Sequence, residues 1–87
     1  MSLNDYRDEA KEFLEKVGSE NEPLEKDVER LEGELELLKQ AENDSEIQHQ
    51  TYDLLFILFG IAAKKDLNLD EEWREGLKTK KKYTEQK

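Results

Sequence analysis

No cysteine occurs anywhere in the 87 residues, so neither a disulfide nor a thiolate metal site can hold this chain together. That absence is compatible with a reducing, intracellular compartment, and a cytoplasmic location is the expectation. A single histidine, His49, rules out a histidine-rich metal centre. The few glycines form no phosphate-cradling loop. The longest apolar run, Leu54 to Ala63, is about half of the roughly 20 residues that a membrane span requires, so no membrane partner is expected. The acidic, polar N-terminal stretch lacks the pattern of a signal peptide. Positive charge is also in deficit. Fourteen Lys and Arg stand against 23 Asp and Glu, a net charge of −9, and such a chain repels the phosphates of a nucleic-acid polymer.

What is present is charge, at 43% of residues, and an apolar minority of 34%. Such a balance leans towards disorder. The apolar residues nevertheless fall in helical registers, and the reading is one all-α domain over residues 1–87. A chain this short buries a modest fraction of its surface and commonly needs help from oligomerisation or a metal.

The pattern predicts four helices. The first covers about 3–17, capped by Ser2 or Asn4, with Leu3, Tyr6, Ala10, Phe13, Leu14 and Val17 on one stripe and Gly18 ending it. A polar loop, 18–22, leads to Pro23 at the first position of a second helix over about 23–42. Its stripe is Leu24, Val28, Leu31, Leu35 and Leu38, the narrow seam of a bundle, and Gly33 offers a point of close packing. Ser45 with Gln48 reads as a capping box opening a third helix that runs to about Lys65. Asn68 with Glu71 opens a fourth, about 69–84, with Leu69, Trp73, Leu77 and Tyr83 expected to face inward.

The third helix sets the assembly expectation. From Leu54 to Ala63 its apolar residues occupy every face, and a helix apolar all round must be buried all round. Three short sibling helices cannot enclose it, so the four-helix protomer is expected to pack into a helical-bundle homo-oligomer.

Chemistry, if any, rests on carboxylates. Acids three or four residues apart share a helix face, and facing helices can present a cage of oxygens to a hard cation such as Mg²⁺. Asp53 is the sharpest candidate, because it opens the apolar run where an uncompensated charge is costly. Gln50, His49 and Glu46 lie on its face within two turns. The plainer reading is a solvated acid, or one paired with a lysine. Glu29 and Glu32 are also three apart, and Glu34 follows, although acids at such spacings are unavoidable in so acidic a stretch. Lys78, Lys80, Lys81 and Lys82 form a basic segment near the end of the last helix. It complements the helix dipole or, alternatively, reaches the phosphates of a bound nucleotide.

Three segments together resemble a family: Asp53-Leu54-Leu55-Phe56-Ile57-Leu58, then Asp66-Leu67-Asn68-Leu69-Asp70-Glu71-Glu72-Trp73, then Lys78-Thr79-Lys80-Lys81-Lys82-Tyr83. They look like the C-terminal half of MazG-type proteins, in the all-α nucleoside triphosphate pyrophosphohydrolase superfamily. The resemblance covers about 46–83 and extends loosely over 23–45. It implies homodimers or homotetramers that convert a nucleoside triphosphate to monophosphate and pyrophosphate. It also implies Mg²⁺ held by a Glu-x-x-Glu pair on the second helix and a Glu-x-x-Asp pair on the third. Here the third-helix pair is Gln50-x-x-Asp53, an amide replacing one carboxylate, and Glu46 is the nearest substitute. On the second helix Glu29-x-x-Glu32 fits the spacing, whereas Gly33-Glu34-Leu35 fits the family context, with Leu31 replacing the first acid.

Two functions follow. One is an Mg²⁺-dependent nucleotide pyrophosphohydrolase with metal ligands among Glu29, Glu32, Glu34, Glu46, Gln50 and Asp53, and phosphates steered by the C-terminal lysines. The other is a non-catalytic helical binding or assembly protein that keeps the fold and has lost the chemistry.

Overall fold

A computed structural model describes residues 1–85. Those residues form four α-helices: α1 (Leu3–Val17), α2 (Leu24–Lys39), α3 (Asp44–Lys64) and α4 (Leu69–Glu85). No strand occurs among the described residues.

α1 begins and ends where its sequence indicates. Ser2 Oγ accepts from Asp5 N at 3.1 Å, and Asp5 Oδ2 accepts from Ser2 N at 2.9 Å, a reciprocal capping box. Gly18 closes the helix at φ 74, a left-handed conformation that costs glycine little, and Ser19 N reaches back to Leu14 O.

The next two helix starts differ from expectation. Pro23 occupies the cap position with extended φ −70 and ψ 157, not the first turn, and α2 stops at Lys39. α3 is capped by Asn43, whose Oδ1 accepts from Glu46 N at 2.9 Å, so Ser45 lies inside the first turn and forms no cap. Asn is at least as good a cap as Ser, and Asn43 holds the extended backbone that a cap requires.

α3 is the central element, with α1 and α2 packed along it. Phe13 meets Phe56 edge to face, and Tyr6 stacks beside Phe59 with ring centroids 5.8 Å apart. α1 packs tightly against α3 at Gly60, where an added Cβ would lie 3.3 Å from Leu14 Cδ1. Gly33 meets nothing within 4 Å, so the close packing expected there is absent within the chain.

The protomer leaves its apolar surface uncovered. Among the described residues, Ala10 and Ala62 are the buried apolar side chains, and no large side chain is fully enclosed. Leu55 and Leu58 on α3 stand about half exposed, as do Leu24, Val28 and Leu35 on α2. Trp73, Leu77 and Tyr83, expected to face inward, are exposed at 63%, 46% and 71%. Their periodicity marks a stripe but carries no information on what covers it.

Size measurements agree. The radius of gyration is 15.2 Å, against about 12 Å for a compact chain of this length. The accessible surface is 6983 Å², against roughly 5,400 Å² for a compact monomer of this mass. No helix among the described residues is long and apolar enough to cross a membrane.

Candidate functional site

The antiparallel contact of α2 with α3 positions the acids. Glu34 and Asp53, on facing helices, line one cavity of about 380 Å³, walled otherwise by Phe13, Tyr52, Phe56 and Ile57. Glu34 Oε2 is buried and has no hydrogen-bond partner among the described residues. Gln50 Oε1, one turn before Asp53 on α3, is likewise buried and unpartnered. A buried acceptor without a donor is costly, and native proteins leave few of them. Asp53 is 31% exposed, and His49 Nε2 lies 3.3 Å from its Oδ2.

The other sequence candidates are placed differently. Glu29 is largely exposed and lies 3.9 Å from Lys26, and Glu32 is also exposed, so the pair at the right spacing faces solvent. Helical phase puts Glu34 on the opposite flank, towards α3. Glu46 Oε2 is engaged by Glu42 N at 2.8 Å, inside the turn that leads into α3. Lys78 pairs with Glu75 on its own helix, and Lys80, Lys81 and Lys82 are exposed along α4. None of these lysines lines the cavity at Asp53.

Donor chemistry bears on which ligand suits the cavity. The two carboxylates that line it, with the Gln50 amide oxygen one turn back along α3 and outside the lining, make a set with acceptors in excess, two of the oxygens lacking a partner among the described residues. Such a set suits a hard cation, and Mg²⁺ typically takes one or two carboxylates together with substrate phosphates and water. It falls short of a closed protein cage. Among the described residues no group of three or more His, Cys, Asp or Glu is placed to hold a metal ion.

Two arrangements have no counterpart in the sequence reading. At the far end of α3, Lys64 Nζ donates to both Asp27 oxygens, at 2.8 and 3.0 Å, and to Glu22 O at 3.3 Å. Arg30 adds Glu22 Oε2 at 2.6 Å and approaches Asp27 Oδ1 at 3.6 Å. Asp27 is 5% exposed. Hydrogen bonds from Ser19 and then Arg30 hold the Glu22 carboxyl below its ordinary range. The local signal was an acid beside the Leu24–Val28 stripe and a lysine ending the apolar run. Their pairing spans 37 positions, which no local pattern reveals.

The second arrangement joins two helix starts. Asp70 accepts from Leu3 N at 2.9 Å and Asn4 N at 3.3 Å, while Asn4 Oδ1 accepts from Leu69 N at 2.8 Å and Asp70 N at 3.4 Å. Each helix thus supplies the cap for free N–H groups of the other. Asn4, a candidate cap for its own helix, serves α4 instead. Compared with protein-family models, curated proteins and solved structures, the chain matches none.

Proposed function

We propose that this chain is a MazG-like nucleoside triphosphate pyrophosphohydrolase, working as a homo-oligomer with Mg²⁺ at the Glu34–Asp53 cavity. The observation that carries this reading is the pair of buried, unpartnered acceptors, Glu34 Oε2 and Gln50 Oε1, beside Asp53. A packing role alone gives no reason to keep an unsatisfied carboxylate oxygen inside a helix interface.

In this reading Glu34 and Asp53 hold the cation from facing helices, and Gln50 contributes its amide oxygen. Bound there, Mg²⁺ would supply charge neutralisation for the phosphates and Lewis acidity for hydrolysis. Tyr52 and Phe56 form the apolar wall beside the acids. The lysines of α4 draw phosphates towards an otherwise acidic molecule. Apolar exposure along α2, α3 and α4 supports a second copy covering these faces.

A panel of canonical and modified nucleoside triphosphates, assayed with Mg²⁺ for monophosphate and pyrophosphate, tests the reading. Turnover that falls at least about 100-fold in Asp53→Ala is expected. Absence of turnover on every nucleotide, or turnover indifferent to that change, removes the reading.

A second reading, a non-catalytic assembly protein, draws support from the neutral amide at Gln50 and from the lack of a three-acid cluster. It expects Asp53→Ala to leave association intact while Leu58→Glu dissociates the oligomer.

A further inference from the structure

α4 combines a rigid root with an unpartnered shaft. The root is fixed by the exchange of caps between Asn4 and Asp70, by Asn4 Nδ2 donating to Asn68 Oδ1 at 3.0 Å, and by Arg7 donating to Leu67 O at 2.7 Å. Beyond that root, no residue of α4 is buried. Leu69, Trp73 and Leu77 follow at four-residue steps, and the last two remain largely open to solvent. A helix of 17 residues that buries nothing gains little from tertiary packing, the main source of helix stability in proteins.

The same chain carries an apolar groove. Between α1 and α3 lies an apolar cavity of about 400 Å³, lined by Leu3, Tyr6, Ala10, Tyr52 and Leu55, with Glu9 among its lining residues. No residue of α4 lines this cavity of its own chain.

We propose that α4 is an exchanged arm: in a two-fold homodimer, the Trp73–Leu77 stripe of each chain seats in the α1–α3 groove of the other. Three observations select a second copy as the occupant. The surface in excess of a compact monomer is roughly 1,600 Å² per chain. A dimer hiding that much from each subunit falls in the range of about 2,000–5,000 Å² total that obligate homodimers bury. Arm and groove are present on every chain, so a two-fold exchange satisfies both at once and closes the assembly. Finally, charge matches. The arm as a whole is balanced, but its C-terminal half carries Lys78, Lys80, Lys81 and Lys82 against Glu85 alone, whereas the rest of the chain is acidic and Glu9 borders the groove.

This inference builds on the homo-oligomer part of the proposed function and is independent of catalysis, because its test reads association alone. The chain has no cysteine, so single-cysteine variants are clean probes. Leu77→Cys on the arm is mixed with isotope-labelled Leu55→Cys in the groove and oxidised mildly. A disulfide between labelled and unlabelled chains is expected in high yield, with little when Lys11→Cys replaces the groove variant. Sedimentation equilibrium of the full chain should show a dimer, weakened at least about 100-fold by Trp73→Glu with Leu77→Glu.

A monomeric wild type overturns both the oligomer and the exchange. A dimer that survives the double change, or that cross-links through Leu58→Cys alone and not between arm and groove, overturns the exchange and leaves the oligomer standing. If the double variant loses its helical circular dichroism, the arm–groove cross-link decides by itself.

Discussion

The two ends of the α2–α3 contact treat charge in opposite ways. At one end Asp27 and Lys64 are buried together, and the three donors of the ammonium all find oxygen. At the other end Glu34 and Gln50 each hide an acceptor that nothing among the described residues satisfies, near a partly open Asp53. Both ends bury polar atoms, and both incur the desolvation cost. Only the first recovers it inside the protomer. The first end therefore reads as structure. The second reads as a site whose interactions are completed by something added, a cation in the proposed function.

Breaking the paired end gives the largest expected effect. Lys64→Met leaves the buried Asp27 charge with only the longer contact to Arg30, at 3.6 Å, and should cost about 3 kcal/mol of stability in denaturant unfolding. Adding Asp27→Leu removes the orphaned charge and should restore much of the loss, since an apolar pair of similar volume often replaces a buried ion pair without penalty. A Lys64→Met protein as stable as wild type would mean that this end is no better satisfied than the other.

The unpaired end should respond with the opposite sign. Glu34→Leu removes a buried acceptor that has no donor, so stability should hold or rise by about 1 kcal/mol. Activity on the nucleotide panel, and any Mg²⁺-dependent rise in Tm, should be lost. Marked destabilisation by Glu34→Leu would assign Glu34 to the structure of the helix contact and erase the contrast between the two ends.

Gln50→Glu sharpens the same contrast. A third carboxyl near Glu34 and Asp53 should lower Tm without divalent cation, through like-charge repulsion. With Mg²⁺ it should raise affinity by about tenfold, because ligand charge sets the strength of such sites. Thermal melts across a Mg²⁺ titration measure both arms, since a ligand of the native state raises Tm by mass action. A variant whose Tm is indifferent to Mg²⁺ would count against a cation at this end.

Much of the architecture was legible because its causes are local. Ser2, Gly18 and the α1 stripe bound their helix by chain-neighbour interactions, and the apolar run of α3 marks the central element. What the sequence hid depends on partners far along the chain. Asn4 and Asp70 are 66 residues apart, and nothing near Asn4 says that its amide serves another helix. Of the site, Asp53 was legible as a charge at the edge of an apolar run. Choosing Glu34 over Glu29 and Glu32 required knowing which flank of α2 meets α3, and the stripe leaves that open because Leu24, Val28 and Leu35 are themselves exposed in the protomer. Trp73 and Leu77 were misjudged for a related reason. An apolar stripe marks a face of a helix, but it does not say whether the chain itself covers that face.

The smallest effect concerns the rim of the paired end, at acid pH. Hydrogen bonds from Ser19 and Arg30 lower the Glu22 carboxyl below its unfolded value. A depressed carboxyl contributes stability above its unfolded pKa, and that contribution is lost as pH falls through the lower, folded value. Wild type should therefore lose stability faster than Glu22→Gln as pH drops below the ordinary carboxylate range, with the two curves converging at the acid limit. The gap at neutral pH should be small, because the pair is partly exposed and water screens it. The comparison separates the rim from the core of that end. If Glu22→Gln leaves the acid limb unchanged, the structural work there is done by Asp27 and Lys64 alone, and the Arg30–Glu22 contact is a surface pair lying over it.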